Sequence, residues 1–134
     1  MLTRAEAIAA CNALPDVFED YPFHDPNWTV MRHRSNKKTF ALIFERQGHI
    51  WVNLKAQPEW VRFWQGTYAA AVPAYHMNKE HWFSVILDGT IPDEELVRLI
   101  AESHALTAPA VRPAESAPGR RKGTQPRSAK FTKL

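Results

Sequence analysis

The fold is decided by the stretch TFALIFERQGHIWVNLK, which covers residues 39–55. Its first half, Thr39–Arg46, is apolar on both faces in the middle, and this pattern is typical of a well-buried strand. Its second half, His49–Lys55, alternates apolar residues with Trp51 and Asn53. The pair Gln47-Gly48 between the two halves favours a tight turn. The stretch therefore predicts an antiparallel hairpin whose first strand is buried.

The residues before this hairpin predict one helix, one loop and one strand. Thr3 and Glu6 have the spacing of a capping box, and the helix that they begin has an expected inward stripe of Ala5, Ile8, Ala9 and Asn12. Residues 16–27 are rich in proline and acidic residues, and we expect a loop there, with a short extended piece around Phe18. Residues 28–34 alternate in the manner of a strand.

The residues after the hairpin predict two helices and two strands. Pro58 suits the first position of a helix that stops at Gly66. Tyr75–Met77 and Trp82–Leu87 are expected to be strands. The last helix begins near Pro92, and its inward stripe consists of Leu96, Leu99, Ile100 and Ser103. The order α-β-β-β-α-β-β-α predicts an α/β fold of the α+β type, with two layers, a largely antiparallel sheet and helices on one face.

The composition of the 134 residues is that of one globular domain, with 45% hydrophobic and 23% charged residues. The longest apolar run, Phe40–Phe44, is too short to span a membrane, and the N-terminus has the pattern of a helix start rather than a leader. Cys11 is the only cysteine, and we expect it to be a small core residue. These features predict a cytoplasmic protein with no membrane partner.

The charge divides the chain near Thr107. Residues 1–107 carry ten Lys and Arg against thirteen Asp and Glu, whereas residues 108–134 carry seven against one. The second segment is rich in Pro, Ala, Ser and Gly, and Phe131 is its only aromatic residue. Such a composition buries too little apolar surface to offset the entropy lost on ordering. We therefore expect a folded domain over residues 1–107 and a basic disordered tail over residues 108–134.

Five strings occur in a characteristic order: FALIF, WVNLK, PAYHMNKEHW, VILDGTIPDEEL and LIAESHAL, between Phe40 and Leu106. The most specific combination is NKEHW at residues 78–82 with DGTIPDEEL at residues 88–96. In these strings the chain resembles the MmcQ/YjbR family of small bacterial proteins, over residues 2–106. The resemblance implies a compact α/β domain with an antiparallel sheet. Because members of the family are widely labelled DNA-binding, it also implies DNA as a partner.

One position departs from the pattern of that family. Members commonly end the last helix in Ser-Tyr, whereas this chain has Ser103-His104. A titratable ring therefore replaces a large aromatic one, and any role of that tyrosine is not carried over to this chain.

A cluster of basic residues supports the DNA-binding hypothesis. The predicted strand at residues 28–34 and the turn at residues 35–38 carry four of them, and the tail adds three more. The candidate nucleic-acid-binding residues are Arg32, Arg34, Lys37, Lys38, Lys55, Lys79, Arg120, Arg121 and Lys122. The alternative interpretation is an ordinary solvated hairpin end. We therefore hypothesise that the protein is not an enzyme and binds DNA of any sequence, weakly and in a salt-sensitive manner.

The segment YHMNKEHW, residues 75–82, has the densest group of functional side chains. As a functional site it forms a cleft for a peptide or a small anionic ligand, lined by Tyr75, His76, Asn78, His81 and Trp82. As a structural element the same residues cap a turn and fill the margin of the core. The sequence alone leaves both interpretations open.

Catalytic and metal sites are not predicted. His76 and His81 are five residues apart, a spacing that does not stack two ligands on a helix, and no cysteine pair accompanies them. The sequence has neither a nucleophile elbow nor a phosphate-binding glycine loop. We therefore expect no catalytic residue, no metal and no cofactor.

Overall fold

A computed structural model describes residues 1–110, and these form three helices and a single six-stranded antiparallel sheet. The elements are α1 (Arg4–Asn12), β1 (Val17–Asp20), β2 (Thr29–His33), β3 (Thr39–Arg46), β4 (His49–Lys55), α2 (Pro58–Thr67), β5 (Ala71–Pro73), β6 (Trp82–Ile86) and α3 (Asp93–Thr107). The strand order in the sheet is β1-β2-β3-β4-β6-β5. Most of the predicted tail, from residue 111 onward, lies outside the described residues.

The hairpin of β3 and β4 forms as predicted and lies in the middle of the sheet. The two strands pair from Ala41 opposite Leu54 to Arg46 opposite His49. Gln47 and Gly48 both have a positive φ, 55° and 81°, which is the backbone of the two-residue turn that suits strand twist. The residues between Phe40 and Phe44 are all buried, as their apolar run indicated.

The fold class is as predicted, but the element order contains one more strand. Residues Val17–Asp20 form β1 along the edge of β2, where the sequence indicated a loop with a short extended piece. The amide of Arg34 donates to the carbonyl of Asp16 at 2.6 Å, so this edge is held by contacts that come from a distant part of the chain. The correct order is α-β-β-β-β-α-β-β-α.

The predicted strand at Tyr75–Met77 is wrong. The short strand is Ala71–Pro73, which pairs with β6 from Ala71 opposite Val85 to Pro73 opposite Phe83. Proline is tolerated there because β5 is an edge strand and needs no donor on its outer side. Residues 75–77 instead lie in the connection to β6.

The buried stripe of α1 also differs from the prediction. Ala7 and Cys11 are fully buried, whereas Ala5, Ala9 and Asn12 are exposed. The helix is rich in alanine on several sides, so its apolar periodicity does not specify one face. Its contacts with β3 and α3 decide the buried side. The capping box of Thr3 and Glu6 forms as predicted.

All three helices contribute to one core against the same face of the sheet. Strand alternation points Ala41 and Ile43 of β3 toward this core, and their neighbours across β4 and β6 are Val52, Leu54, Phe83 and Val85. The predicted stripe of α3 is buried against them in full. The other face of the sheet therefore carries the alternate residues of the same strands.

A bulge in β3 changes the orientation of one large ring. Met31 pairs with Ala41 and Arg32 pairs with Thr39, so Phe40 has no partner on β2. Its buried ring lies 5.4 Å from that of His33 and 5.0 Å from that of His104, measured between centroids. The histidine that departs from the family pattern thus packs at the end of the core.

Candidate functional site

Five of the predicted cations lie at one end of the sheet. Strands β2 and β4 end there, β3 begins there, and the turn before β6 is adjacent, because consecutive strands are antiparallel. We call this set the basic end; it consists of Arg34, Lys37, Lys38, Lys55 and Lys79. All except the half-buried Lys55 are exposed. The fold thus brings together cations that are up to 45 positions apart in the sequence, from 34 to 79.

Arg32 has a different role from the other predicted cations. Its Nε donates to Asp20 at 2.7 Å, and its Nη1 donates to the carbonyl of Lys37 and the hydroxyl of Thr39, each at 3.1 Å. The guanidinium therefore ties β1 and the turn to β2. Arg32 supports the basic end, and its charge is already paired.

Arg34 and Lys37 are positioned by Phe18 on β1. The Lys37 ammonium lies 5.2 Å from the centre of that ring, and the Arg34 guanidinium lies 6.0 Å from it. Lys37 has a φ of 64° and donates its Nζ to the Arg34 carbonyl at 2.8 Å. These contacts fix the conformation of the turn. The ammonium of Lys38, in the same turn, donates no hydrogen bond to a described residue.

The C-terminal end of α3 reaches the same turn. The side-chain amide of Asn36 donates to the carbonyl of Thr107 at 3.0 Å. The hydroxyl of Thr107 donates to the Ser103 carbonyl and accepts from Nε2 of His33 at 2.9 Å. Thr107, the last residue of α3, therefore lies directly beside the basic end. Arg120, Arg121 and Lys122 lie outside the described residues.

The five residues of the predicted cleft fall into two groups, one of Tyr75 and His76 and one of Asn78, His81 and Trp82. Asn78 accepts from the backbone amides of Glu80 and His81, at 2.8 and 3.2 Å, and so caps the turn as the structural interpretation expects. Trp82 is half-buried at the start of β6, opposite Lys55. Tyr75 and His76 form a pair of rings, with centroids 4.1 Å apart.

Tyr75 and His76 belong to a cluster on the sheet face away from the helices. We call it the aromatic platform; it consists of Trp28, Phe44, Trp51, Tyr75, His76 and the guanidinium of Arg46. The rings of Trp28 and Phe44 stack at 4.3 Å, and those of Trp28 and Tyr75 are parallel within 2°. Arg46 lies 4.4 Å from the Tyr75 ring and 4.8 Å from the Trp51 ring.

Sequence reasoning missed most of this platform. Phe44 and Arg46 alternate onto one face of β3, and Trp51 lies opposite Phe44 in the register of the hairpin. That spacing was visible in the sequence, but only the structure shows that Tyr75 and Trp28 lie over the same place. Two connecting segments that the sequence does not relate supply those two rings.

A buried polar pair supports the segment that carries Tyr75. Asn53 and Ser84 are fully buried, and their side chains are hydrogen-bonded to each other. Asn53 donates to the carbonyl of Tyr75 at 2.9 Å, and the Tyr75 amide donates to the Ser84 hydroxyl at 3.1 Å. His76 follows with a φ of 62°, a backbone that costs energy in a residue other than glycine. Hydrogen bonds from β4 and β6 thus fix the backbone of Tyr75 in the platform.

His33 and His104 form a pair of imidazole rings beneath the basic end, 4.2 Å apart. His33 is buried, and Nε2 of His104 donates to the carbonyl of Pro15 at 2.9 Å. Burial lowers the pKa of His33, and the neighbouring His104 lowers it further. A second buried titratable group is Cys11, where burial raises the pKa of the thiol to about 12. Neither group adds charge to the surface at neutral pH.

An open cavity of about 490 Å³ lies at the opposite end of the sheet, lined by residues that include Arg4, Glu45, His49 and Asp88. The guanidinium of Arg4 is occupied there, since it donates to Asn27, Thr29 and Ile43. Within residues 1–110 the structure has no group of three His, Cys, Asp or Glu placed to hold a metal ion. No helix in that range is long and apolar enough to cross a membrane.

Comparison with known proteins identifies the family from the sequence and fold described above. The family model called YjbR matches residues 12–106. The chain belongs to the YjbR family. The uncharacterized protein YyaQ of Bacillus subtilis is 37% identical over 119 residues, which cover 80% of this chain and 99% of YyaQ. The uncharacterized protein YjbR of Escherichia coli is 28% identical over 77% of this chain and 85% of its own length.

Solved structures of other proteins have the same YjbR-type fold. The protein DR2400 of Deinococcus radiodurans superposes with a TM-score of 0.70 and 33% identity, over 78% of this chain and 77% of its own. A protein from Pseudomonas syringae gives a TM-score of 0.67 and 32% identity, over 75% of this chain and 95% of its own. The resemblance inferred from the sequence strings is therefore confirmed at the level of family and fold.

Proposed function

We propose that this YjbR-family protein is a non-enzymatic, cytoplasmic protein that binds nucleic acid through the basic end and the basic segment that follows α3. The observation that carries the proposal is the hydrogen bond between Asn36 and Thr107, at 3.0 Å. This bond holds Thr107 beside the cations of the basic end, and the sequence after Thr107 contains seven Lys and Arg. Phosphate neutralisation by such cations supplies most of the affinity of sequence-independent binding.

The positions of the charges within residues 1–107 support the proposal, although the net charge of these residues is negative. Residues 1–107 have a balance of −3, but three of the acids, Asp93, Glu94 and Glu95, lie in the first turn of α3. The basic end lies beside the last turn of the same helix of 15 residues, about 20 Å away. That distance exceeds the screening length of about 8 Å at physiological ionic strength. A phosphate at the basic end is therefore screened from these three acids, and the nearer carboxylates of Asp20 and Asp16 are already engaged by Arg32 and Ser35.

The proposal is tested with the full chain and fluorescence anisotropy of labelled DNA at several salt concentrations. The double variant Arg34→Gln/Lys38→Gln removes two exposed cations of the basic end. Its matched control, Arg62→Gln/Arg98→Gln, removes two exposed cations from α2 and α3. We expect the first variant to reduce the log–log salt slope by about 0.9 for each phosphate that it no longer neutralises, and the control to leave the slope unchanged.

The basic segment is tested in the same way with Arg120→Gln/Arg121→Gln/Lys122→Gln in the full chain. This variant should weaken the binding of all DNA sequences alike, because cations that contact phosphates read charge and not bases. If the wild-type protein does not bind DNA at low salt, the proposed function is wrong. If the control variant weakens binding as much as the basic-end variant, the basic end is not the binding surface.

A further inference from the structure

The aromatic platform has properties that phosphate attraction at the basic end does not explain. Part of it is open to solvent: Trp28 and Tyr75 are half-buried, His76 is exposed and the neighbouring Phe23 is 52% exposed, whereas Phe44 and Trp51 are buried beneath them. Phe23 packs edge-on against Trp28 with 6.5 Å between ring centroids. The exposed rings of the platform, on the sheet face away from the helices, lie outside the cluster that forms the main core.

We propose that the aromatic platform binds unpaired bases of single-stranded nucleic acid, with Arg46 contacting a phosphate of the same strand. The inference rests on the proposed function and names its preferred substrate. Aromatic side chains stack on bases of any sequence, and arginine contributes both charge and stacking. Duplex DNA keeps its base faces inside the stack, so such a surface discriminates in favour of single strands.

Arg46 carries the argument for an anionic ligand. Its guanidinium lies against the rings of Trp51 and Tyr75, so its position is held without a carboxylate. Its one hydrogen bond to a described residue is from Nη1 to Oε1 of Gln47, at 3.0 Å. A guanidinium has five N–H donors in a fixed fork that matches a phosphate, so four remain for a ligand. Within residues 1–110 Arg46 forms no ion pair.

The platform and Lys55 of the basic end lie on the same face of the sheet, with the segment that covers Asn53 between them. Trp51 and Lys55 share a face of β4, since strand side chains alternate, and they are about 13 Å apart along the strand. Trp82 at the start of β6 lies opposite Lys55 and alternates onto the same face. An extended strand of nucleic acid that crosses from the platform over this segment therefore has Lys55 of the basic end within its reach. A short acidic peptide matches the charge of Arg46 but does not use the stacked rings.

The experiment measures the affinity of the full chain for a short oligothymidylate and for a duplex of matched length, by fluorescence anisotropy at one low salt concentration. Arg46→Gln removes the charge, and His76→Asn removes an exposed ring while tolerating the positive φ. The matched controls are Arg62→Gln and Trp60→Ala on α2, where Trp60 is 48% exposed. Thermal unfolding shows that each variant is folded.

We expect each platform variant to weaken oligothymidylate binding about five- to tenfold and duplex binding less than about twofold, with both controls unchanged. Equal weakening of both ligands, or no weakening of either, overturns the inference while the proposed function stands. If the wild-type chain binds neither ligand, both the inference and the proposed function are overturned. If a short polyglutamate peptide displaces oligothymidylate from the wild type but not from Arg46→Gln, the platform is a peptide site instead.

Discussion

Removal of one buried hydroxyl at the end of the sheet is expected to destabilise the whole domain. The register of β3 and β4, continued by one residue, would pair Phe40 with Lys55, but the pairing of the two strands begins only at Ala41 opposite Leu54. The hydroxyl of Ser103 on α3 fills the gap: it accepts from the Lys55 amide at 2.9 Å and donates to the Phe40 carbonyl at 2.6 Å. One side chain thus bonds α3 to two central strands.

Ser103→Ala leaves both backbone groups without a partner in a site where Ser103 is fully buried. An unsatisfied buried group costs about 1–3 kcal/mol, and the Lys55 amide lies in a half-buried residue that water approaches more easily. We therefore expect the free energy of unfolding to decrease by about 2–4 kcal/mol. The loss of one oxygen atom leaves too small a cavity to add to this cost.

The assay is urea unfolding followed by tryptophan fluorescence, with Ser35→Ala as the control. Ser35 is exposed and its hydroxyl donates to Asp16 at 2.6 Å, so its removal should cost less than about 1 kcal/mol. A decrease of less than about 0.5 kcal/mol for Ser103→Ala would refute the reasoning. It would mean that the strands close the gap themselves or that water replaces the hydroxyl.

Three further outcomes are expected. Because burial and His104 lower the pKa of His33, the unfolded chain takes up the proton more readily than the folded one. The free energy of unfolding should therefore fall as the pH decreases below about 6.5, the pKa of histidine in the unfolded chain. Urea titrations at several pH values should show this fall in the wild type and a less steep one in His33→Gln. The Cys11 thiol, with a pKa of about 12 and no exposure, should react with a thiol reagent only after unfolding; a fast native-state reaction, followed by absorbance, would contradict its burial. Thr3→Ala removes the capping hydroxyl of α1 and should lower the free energy of unfolding by about 1 kcal/mol, a loss that thermal unfolding can detect, unless Glu6 alone keeps the helix start.

Elements with a strong local signal were predictable from the sequence. The stripe of α3, the capping box of α1 and the hairpin at Gln47-Gly48 all form where their spacing indicated. The errors arose where the local signal was weak. Four residues of β1 become a strand only because β2 offers an edge, and the alanines of α1 specify no face.

In the candidate site, too, the residues with a local sequence signal were predictable and the others were not. Arg34, Lys37 and Lys38 could be named from the sequence because they cluster at the end of one strand and in its turn. Arg32 could not be recognised as paired, since Asp20 comes from β1. Tyr75 and His76 were named from the sequence, but their neighbours in the aromatic platform were not. Trp28 and Tyr75 come from separate connections, and no periodicity links a residue in one connection to a residue in another.

The sequence by itself determined the family, the fold class and the chemical inventory of the protein: a hairpin-centred antiparallel sheet, an amphipathic last helix and a strongly basic C-terminal segment. These depend on periodicity and composition, which act over a few neighbouring residues. Tertiary structure alone decided which groups became neighbours, such as Arg46 against Tyr75 and Asn36 against Thr107. The physical reason is that pairing between distant strands and connections depends on the packing of the whole chain, and a local pattern contains no information on that packing.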